Sequence, residues 1–136
     1  MSFANKMVVI VNKSADIGVA LNAVAHASLA LGATLGSATV SLQEYKDASG
    51  NNWPISEMPY IVLRGKSGEI RKAILTAKEE GITQIAFVET MTGGTSAEQI
   101  ERTAKVSEEE HIYLAGVLFG EWDKVNEITK KLSLYR

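Results

Sequence analysis

The sequence predicts an α/β sandwich built on a mostly parallel or mixed sheet of four strands. Two observations carry this. Apolar runs rich in valine and isoleucine recur at 7–11, 60–63, 82–88 and 112–119, and short continuous runs of this kind suit strands in a helix-covered sheet. Segments with apolar residues at helical spacing lie between them, and strands alternating with helices specify α/β layering. At 136 residues the chain makes one domain, 1–136. A domain this size buries roughly 65–70% of its unfolded surface and needs no covalent staples.

The elements follow in order. MVVIV at 7–11 is a β-branched strand, closed by Asn12-Lys13-Ser14. Asp16 is placed to cap a helix over 17–31, with its carboxylate at the positive end of the dipole. That helix is alanine-rich and apolar almost all round, which predicts a central helix rather than a surface one, and Gly32 is its expected stop. The stretch 34–59 reads as a long loop, with a short strand at 38–42 and a hairpin as options. Its segment 47–52, DASGNN, is turn chemistry. After the strand at 60–63, Ser67 is expected to cap a helix to about Glu80, ended by Gly81. The strand at 82–88 leads into a polar loop at 89–95. A capping box at Ser96 and Gln99 then opens a helix to about Val106. The strand at 112–119 turns at Gly120 into a closing amphipathic helix over 121–132.

Composition excludes several classes. There is no cysteine, so disulfides and thiolate metal sites are out. With two histidines and no HExxH, no metal is expected, and no sequence signal calls for a cofactor. The apolar run 8–11 and the helix 18–31 both fall short of a membrane span, and no signal peptide precedes the first strand. A cytoplasmic protein is the expectation. Fourteen cationic residues against 16 acidic ones, interspersed, leave a net charge of −2, which speaks against strong polyanion binding.

Candidate sites gather where strands end and helices begin, the edge at which open α/β sheets bind ligands. Asn22 and His26, at i and i+4, share one face of the first helix, with Gly18 opening the same stripe and Lys13 and Asp16 just before it. A histidine there can act as general base or orient water. Equally, the two side chains can satisfy each other or a neighbouring loop in the core. The loop 89–95 offers Glu89 at a strand end and backbone N–H groups around Thr92 and Gly93 for a phosphate or carboxylate. It also reads as an ordinary capped connection. Gly65-Lys66-Ser67 is not a phosphate loop, because Tyr60 stands where the motif requires its first glycine. No G-x-S-x-G elbow is present. Glu108-Glu109-Glu110 reads as a solvated loop, and Trp53 and Trp122 are too isolated for a stacking platform.

The order of these motifs resembles a known family. The KMVVIV strand, the Ala25-His26-Ala27 helix core, PYIVLRGKSGEIRKAILTAKEEGI, the strand over 84–88 and HIYLAGVLFGEWDKVNEITKKLSLY are similar in order and spacing to class II peptidyl-tRNA hydrolases. They resemble most their uncharacterised bacterial branch, domain of unknown function family 2000, through NKSADIGVALNAVAHASLALGA and YKDASGNNWP. The resemblance implies three layers, with a four-stranded mixed sheet, helices on both faces, and a homodimer. Of the hydrolases' functional pattern, His26 and Gly18 match. Val19 stands in place of a lysine, and Ala23 in place of a glutamine, with Asn22 beside it. Glu89 replaces an aspartate and is followed by Thr90-Met91-Thr92 without an arginine. The stretch before the last strand holds an extra helix.

These readings converge on a homodimeric domain that binds a small molecule or small acidic group at Lys13, Asp16, Asn22, His26 and Glu89. For hydrolysis of an aminoacyl-type ester, His26 would position or deprotonate water, Glu89 support it, and Asn22 orient the carbonyl. The competing classes are a peptidyl-tRNA hydrolase with an altered constellation, acting on tRNA against the charge balance, and a non-catalytic interaction protein.

Overall fold

The computed structural model describes residues 3–136. The elements are β1 (Asn5–Asn12), α1 (Ile17–Leu35), β2 (Leu42–Gln43), β3 (Ile55–Ser56), β4 (Tyr60–Gly65), α2 (Ser67–Glu79), β5 (Thr83–Val88), α3 (Ser96–Ala104), β6 (Tyr113–Glu121), α4 (Trp122–Thr129) and β7 (Ser133–Leu134). Short 3-10 turns span Glu89–Met91 and Glu108–Glu110.

The sheet has five strands, not four, in the order β5-β6-β1-β4-β7, and β2 and β3 pair apart from it. β1 runs parallel to β4 and antiparallel to β6, while β5 is antiparallel to β6. Thus β1, β4 and β5 all end at one edge. The added strand, β7, is two residues long and pairs antiparallel with Leu63 and Arg64. It has no apolar run of its own, and its pairing follows from α4 delivering the chain to the β4 edge.

Alternation along β1 builds two cores. Val8 and Ile10 pack with Ile70, Ile74, Leu118 and Val125 under α2 and α4. Met7, Val9 and Val11 pack with Ala20, Ala23, Ala27 and Leu31 of α1. The crossover from β1 to β4 moves one way along the sheet, and that from β4 to β5 moves the other. Right-handed connections in opposite directions put their helices on opposite faces.

Helix ends differ from expectation in instructive ways. α1 continues through Gly32 and stops at Gly36, whose φ is 77°, because Leu31 and Leu35 still find apolar cover. At 19 residues, α1 is long and apolar enough to cross a membrane by length and composition. Asp16 holds the N-cap position without a capping hydrogen bond. The N-cap of α2 is Lys66, and Ser67 instead accepts a hydrogen bond from the Tyr113 amide at 2.8 Å. The capping box of α3 is Thr95 with Glu98, one residue earlier than Ser96 with Gln99. α2 does end at Gly81, with φ 71°. Trp122 lies beside the Lys6 ammonium, 4.9 Å from its ring centroid, and burial lowers the Lys6 pKa.

α1 is not a central helix. Only Ala20, Ala23, Ala27 and Leu31 are buried, while Ile17, Leu21 and Leu29 are 61%, 63% and 73% exposed. The reason is width. Five strands at about 4.8 Å spacing span roughly 19 Å, and one helix about 10 Å across covers half of that. The stretch 34–59 holds an ordered hairpin, β2 with β3. At its tip, Asp47 accepts hydrogen bonds from the amides of Ser49 and Asn51, the Asn51 side chain and the Trp53 indole. The Trp53 bond foremost, then those of Asn51, hold the Asp47 carboxyl below its ordinary pKa.

Gly116 marks where α2 meets the sheet most closely. A Cβ there would lie 2.9 Å from Ile70 Cγ2 and 3.0 Å from Ile74 Cδ1. Gly116→Ala is expected to destabilise the fold by about 1–3 kcal/mol through overpacking, read as a lower urea midpoint at unchanged slope.

Candidate functional site

The three parallel strands end together, and a short chain of hydrogen bonds fixes that edge. Asn12 is buried at the end of β1. Its Nδ2 donates to the Tyr113 carbonyl at 2.8 Å and its Oδ1 accepts from the Ser14 amide at 2.8 Å. With the Tyr113 amide donating to Ser67, the end of β1, the start of β6 and the start of α2 are tied together. Arg71 makes a bidentate pair with Glu108 at 2.8 and 2.7 Å, and the Tyr113 hydroxyl donates to the same carboxylate at 2.7 Å. Glu108 therefore braces this edge instead of lying in a solvated acidic run.

Beside β4 this edge carries a small cavity of about 130 Å³, lined by Lys13, Arg64, Gly65, Glu69, Lys131, Leu132 and Ser133. Three cations and one carboxylate surround it. Glu69, the one carboxylate in the lining, accepts the Lys66 amide at 2.9 Å. Among the described residues, Lys13, Arg64 and Lys131 have no salt-bridge partner. Gly65 is where the end of β4 packs closely, because a Cβ there would come within 3.2 Å of Ile10 Cγ2 and 3.5 Å of Leu132 Cδ2. The lining shares Glu69, Lys131 and Leu132 with a groove of about 430 Å³ between α2 and α4, where Ala73 and Ile128 add apolar wall.

The structure divides the residues singled out in the sequence. Lys13 lines the cation cavity. Asn22 and His26 sit one turn apart on the exposed flank of α1 toward β5, where the imidazole stacks on Phe87 at a centroid distance of 5.8 Å. Asp16 and Gly18 are exposed at the start of α1. Glu89 is exposed at the end of β5, and its carbonyl accepts from the Thr92 amide and hydroxyl. Gly93 takes φ 66°, and Arg102 donates to the carbonyls of Thr90, Thr92 and Gly93. The 89–95 loop is thus held through its carbonyls by α3. His111, the other histidine, packs edge-on to Tyr113 with its Nδ1 buried and unpaired. Among the described residues, no three His, Asp or Glu side chains group as for a metal.

Sequence reasoning missed Arg64, Glu69, Lys131 and Ser133. The available signals were a lone arginine ending an otherwise apolar strand and a lysine pair just after the last helix.

A five-stranded mixed sheet with helices on both faces defines an α/β domain. The chain belongs to the family described as protein of unknown function, DUF2000, whose model matches residues 5–136. It is similar to the solved structure of a protein of unknown function from Agrobacterium tumefaciens strain C58. The identity is 24%, the TM-score 0.85, and the match covers 99% of this chain and 100% of that one. Among curated proteins no relative matches. These matches carry family and fold, and neither carries an activity.

The brace at Glu108 makes a pH-dependent contribution. The hydrogen bond from Arg71, then that from Tyr113, holds its carboxyl down from 4.5 to about 2. Burial first, then Glu108, pushes the Tyr113 hydroxyl up to about 12. A carboxyl lowered on folding stabilises the native state above its unfolded value and loses that contribution as pH falls through the folded one. Stability should fall between pH 4.5 and about 2, and Glu108→Gln should flatten that part of the profile. Urea midpoints measured across this range check it.

Proposed function

We propose that the protein binds a small acidic ligand at the sheet edge beside β4. Its phosphate or carboxylate group sits among Lys13, Arg64 and Lys131, and its body lies along the groove between α2 and α4. The observation that supports this most directly is that Lys13, Arg64 and Lys131 all line one cavity, against a single carboxylate, Glu69. About 130 Å³ is several times the ~30 Å³ share of one water, enough for one anionic group with hydration. An arginine offers such a group a planar fork, and lysines offer point charges. The adjoining groove, at about 430 Å³, falls in the size range of metabolite sites.

Thermal unfolding and calorimetry with inorganic phosphate, followed by phosphorylated and carboxylated metabolites, test this. Binding at a hundredfold excess over Kd stabilises the native state by about 2.7 kcal/mol. Arg64→Ala and Lys131→Ala are expected to weaken binding at least tenfold while leaving the circular dichroism unchanged. Wild-type protein that responds to none of these ligands would overturn the proposal.

Ester or amide hydrolysis at His26, Glu89 and Asn22 is the second function, supported by the exposed imidazole on α1 and by the resemblance to class II peptidyl-tRNA hydrolases. Release of N-blocked aminoacyl groups from tRNA should then vanish in His26→Ala. No turnover by wild-type protein removes hydrolysis and leaves the anion site standing.

A further inference from the structure

We propose that the β2–β3 hairpin binds the quaternary ammonium group of a small solute, seated on Tyr45 and Trp53 beside the Asp47 carboxylate. The hairpin keeps one register along its length. Leu42 pairs with Ser56 and Gln43 with Ile55, the Trp53 amide donates to the Tyr45 carbonyl at 2.8 Å, and Lys46 bridges to Asn52. Closer to the turn, the Asp47 amide donates to the Asn51 carbonyl. Side chains opposite one another, or two residues apart along a strand, share a face. Tyr45, Asp47, Trp53 and Ile55 therefore lie on one face, and Trp53, isolated in the sequence, gains an aromatic neighbour across the turn.

The ligand follows from exposure, ring chemistry and charge. Tyr45 and Trp53 are 52% and 60% exposed. The Trp53 indole donates its N–H to Asp47 at 2.9 Å, which anchors the ring and leaves its π face as the binding group. Aromatic faces are negative and attract a cation within ~6 Å of the ring centroid. Opposed residues of an antiparallel pair have Cβ atoms ~4.5–5.5 Å apart, so one cation can meet both rings. Local charge favours a cation as well. Over residues 42–56 there are two carboxylates, Glu44 and Asp47, and one cation, Lys46. Lys46 lies 3.6 Å from Glu44, and among the described residues Asp47 has no salt-bridge partner. Its hydrogen bonds, that of Trp53 foremost, hold the Asp47 carboxyl below its ordinary pKa, so it is an anion at neutral pH. A methylated ammonium suits an open aromatic platform because it is weakly hydrated and meets the rings through its methyl groups. A platform two rings wide takes one such group, which makes the ligand a small solute.

Titration with choline, followed by the indole N–H resonance of Trp53, tests this, the resonance being identified by its loss in Trp53→Phe. Choline should shift it saturably. The neutral isostere 3,3-dimethylbutan-1-ol, with carbon in place of the ammonium nitrogen, should bind about tenfold more weakly. Tyr45→Ala should weaken choline about two- to fivefold, and Tyr45→Phe, which keeps the ring, should restore it. Absence of a saturable shift with choline overturns the proposal. Equal responses to choline and its isostere also overturn it, since the face is then an apolar patch. So does co-sedimentation with phosphatidylcholine vesicles by protein that ignores free choline, which makes the occupant a lipid surface.

Discussion

The structure depends on the two-sided burial of β1. Seven of its eight residues are buried, and it is paired along both edges, to β4 and to β6. An apolar strand in that position needs cover above and below, and each side chain goes to the face its parity dictates. The two cores are therefore not independent: Val8 and Ile10 require α2 and α4, and Met7, Val9 and Val11 require α1. The asymmetry of the molecule starts here, because one face receives two helices and the other a single helix of alanines.

The same strand sets the chemistry at its end. β1, β4 and β5 stop at one edge, and the Asn12, Tyr113 and Ser67 hydrogen bonds hold the connections there in place. Lys13, Arg64 and Lys131 line one cavity at this edge. Glu108 is taken by Arg71 and Tyr113, and Glu69 by the Lys66 amide. At the far side of the edge the 89–95 loop is closed by Arg102, which spends the loop's carbonyls on structure. Three cationic residues thus line the edge beside β4.

An uncharged helix with one flank on the sheet and the other in solvent is costly to leave uncovered, since apolar area in water is what folding removes. The hairpin adds to this. Asp47 fixes its tip through four donated hydrogen bonds, so its apolar side chains are presented in a defined arrangement instead of collapsing onto the domain. Both features lie on the α1 side of the molecule, where Val40 and Met58 at the hairpin's base pack into the α1 core.

The sequence by itself determined the α/β alternation, the four main strands, the helix ended by Gly81 and the helix before the last main strand. Each is written in local periodicity and turn chemistry, which neighbouring residues specify among themselves. What it did not determine has non-local causes. β7 exists because Leu63 and Arg64 offer an edge to a segment some 70 residues away. The cap of α2 shifts to Lys66 because Ser67 is claimed by Tyr113. α1 looks central from composition, and only the width of the assembled sheet shows that one flank is left open. The cavity draws Lys13 from the β1 loop, Arg64 from β4 and Lys131 from the segment after α4. Lysines and arginines scattered along a chain of net charge −2 announce no site, and the tertiary structure decided which three would line one cavity.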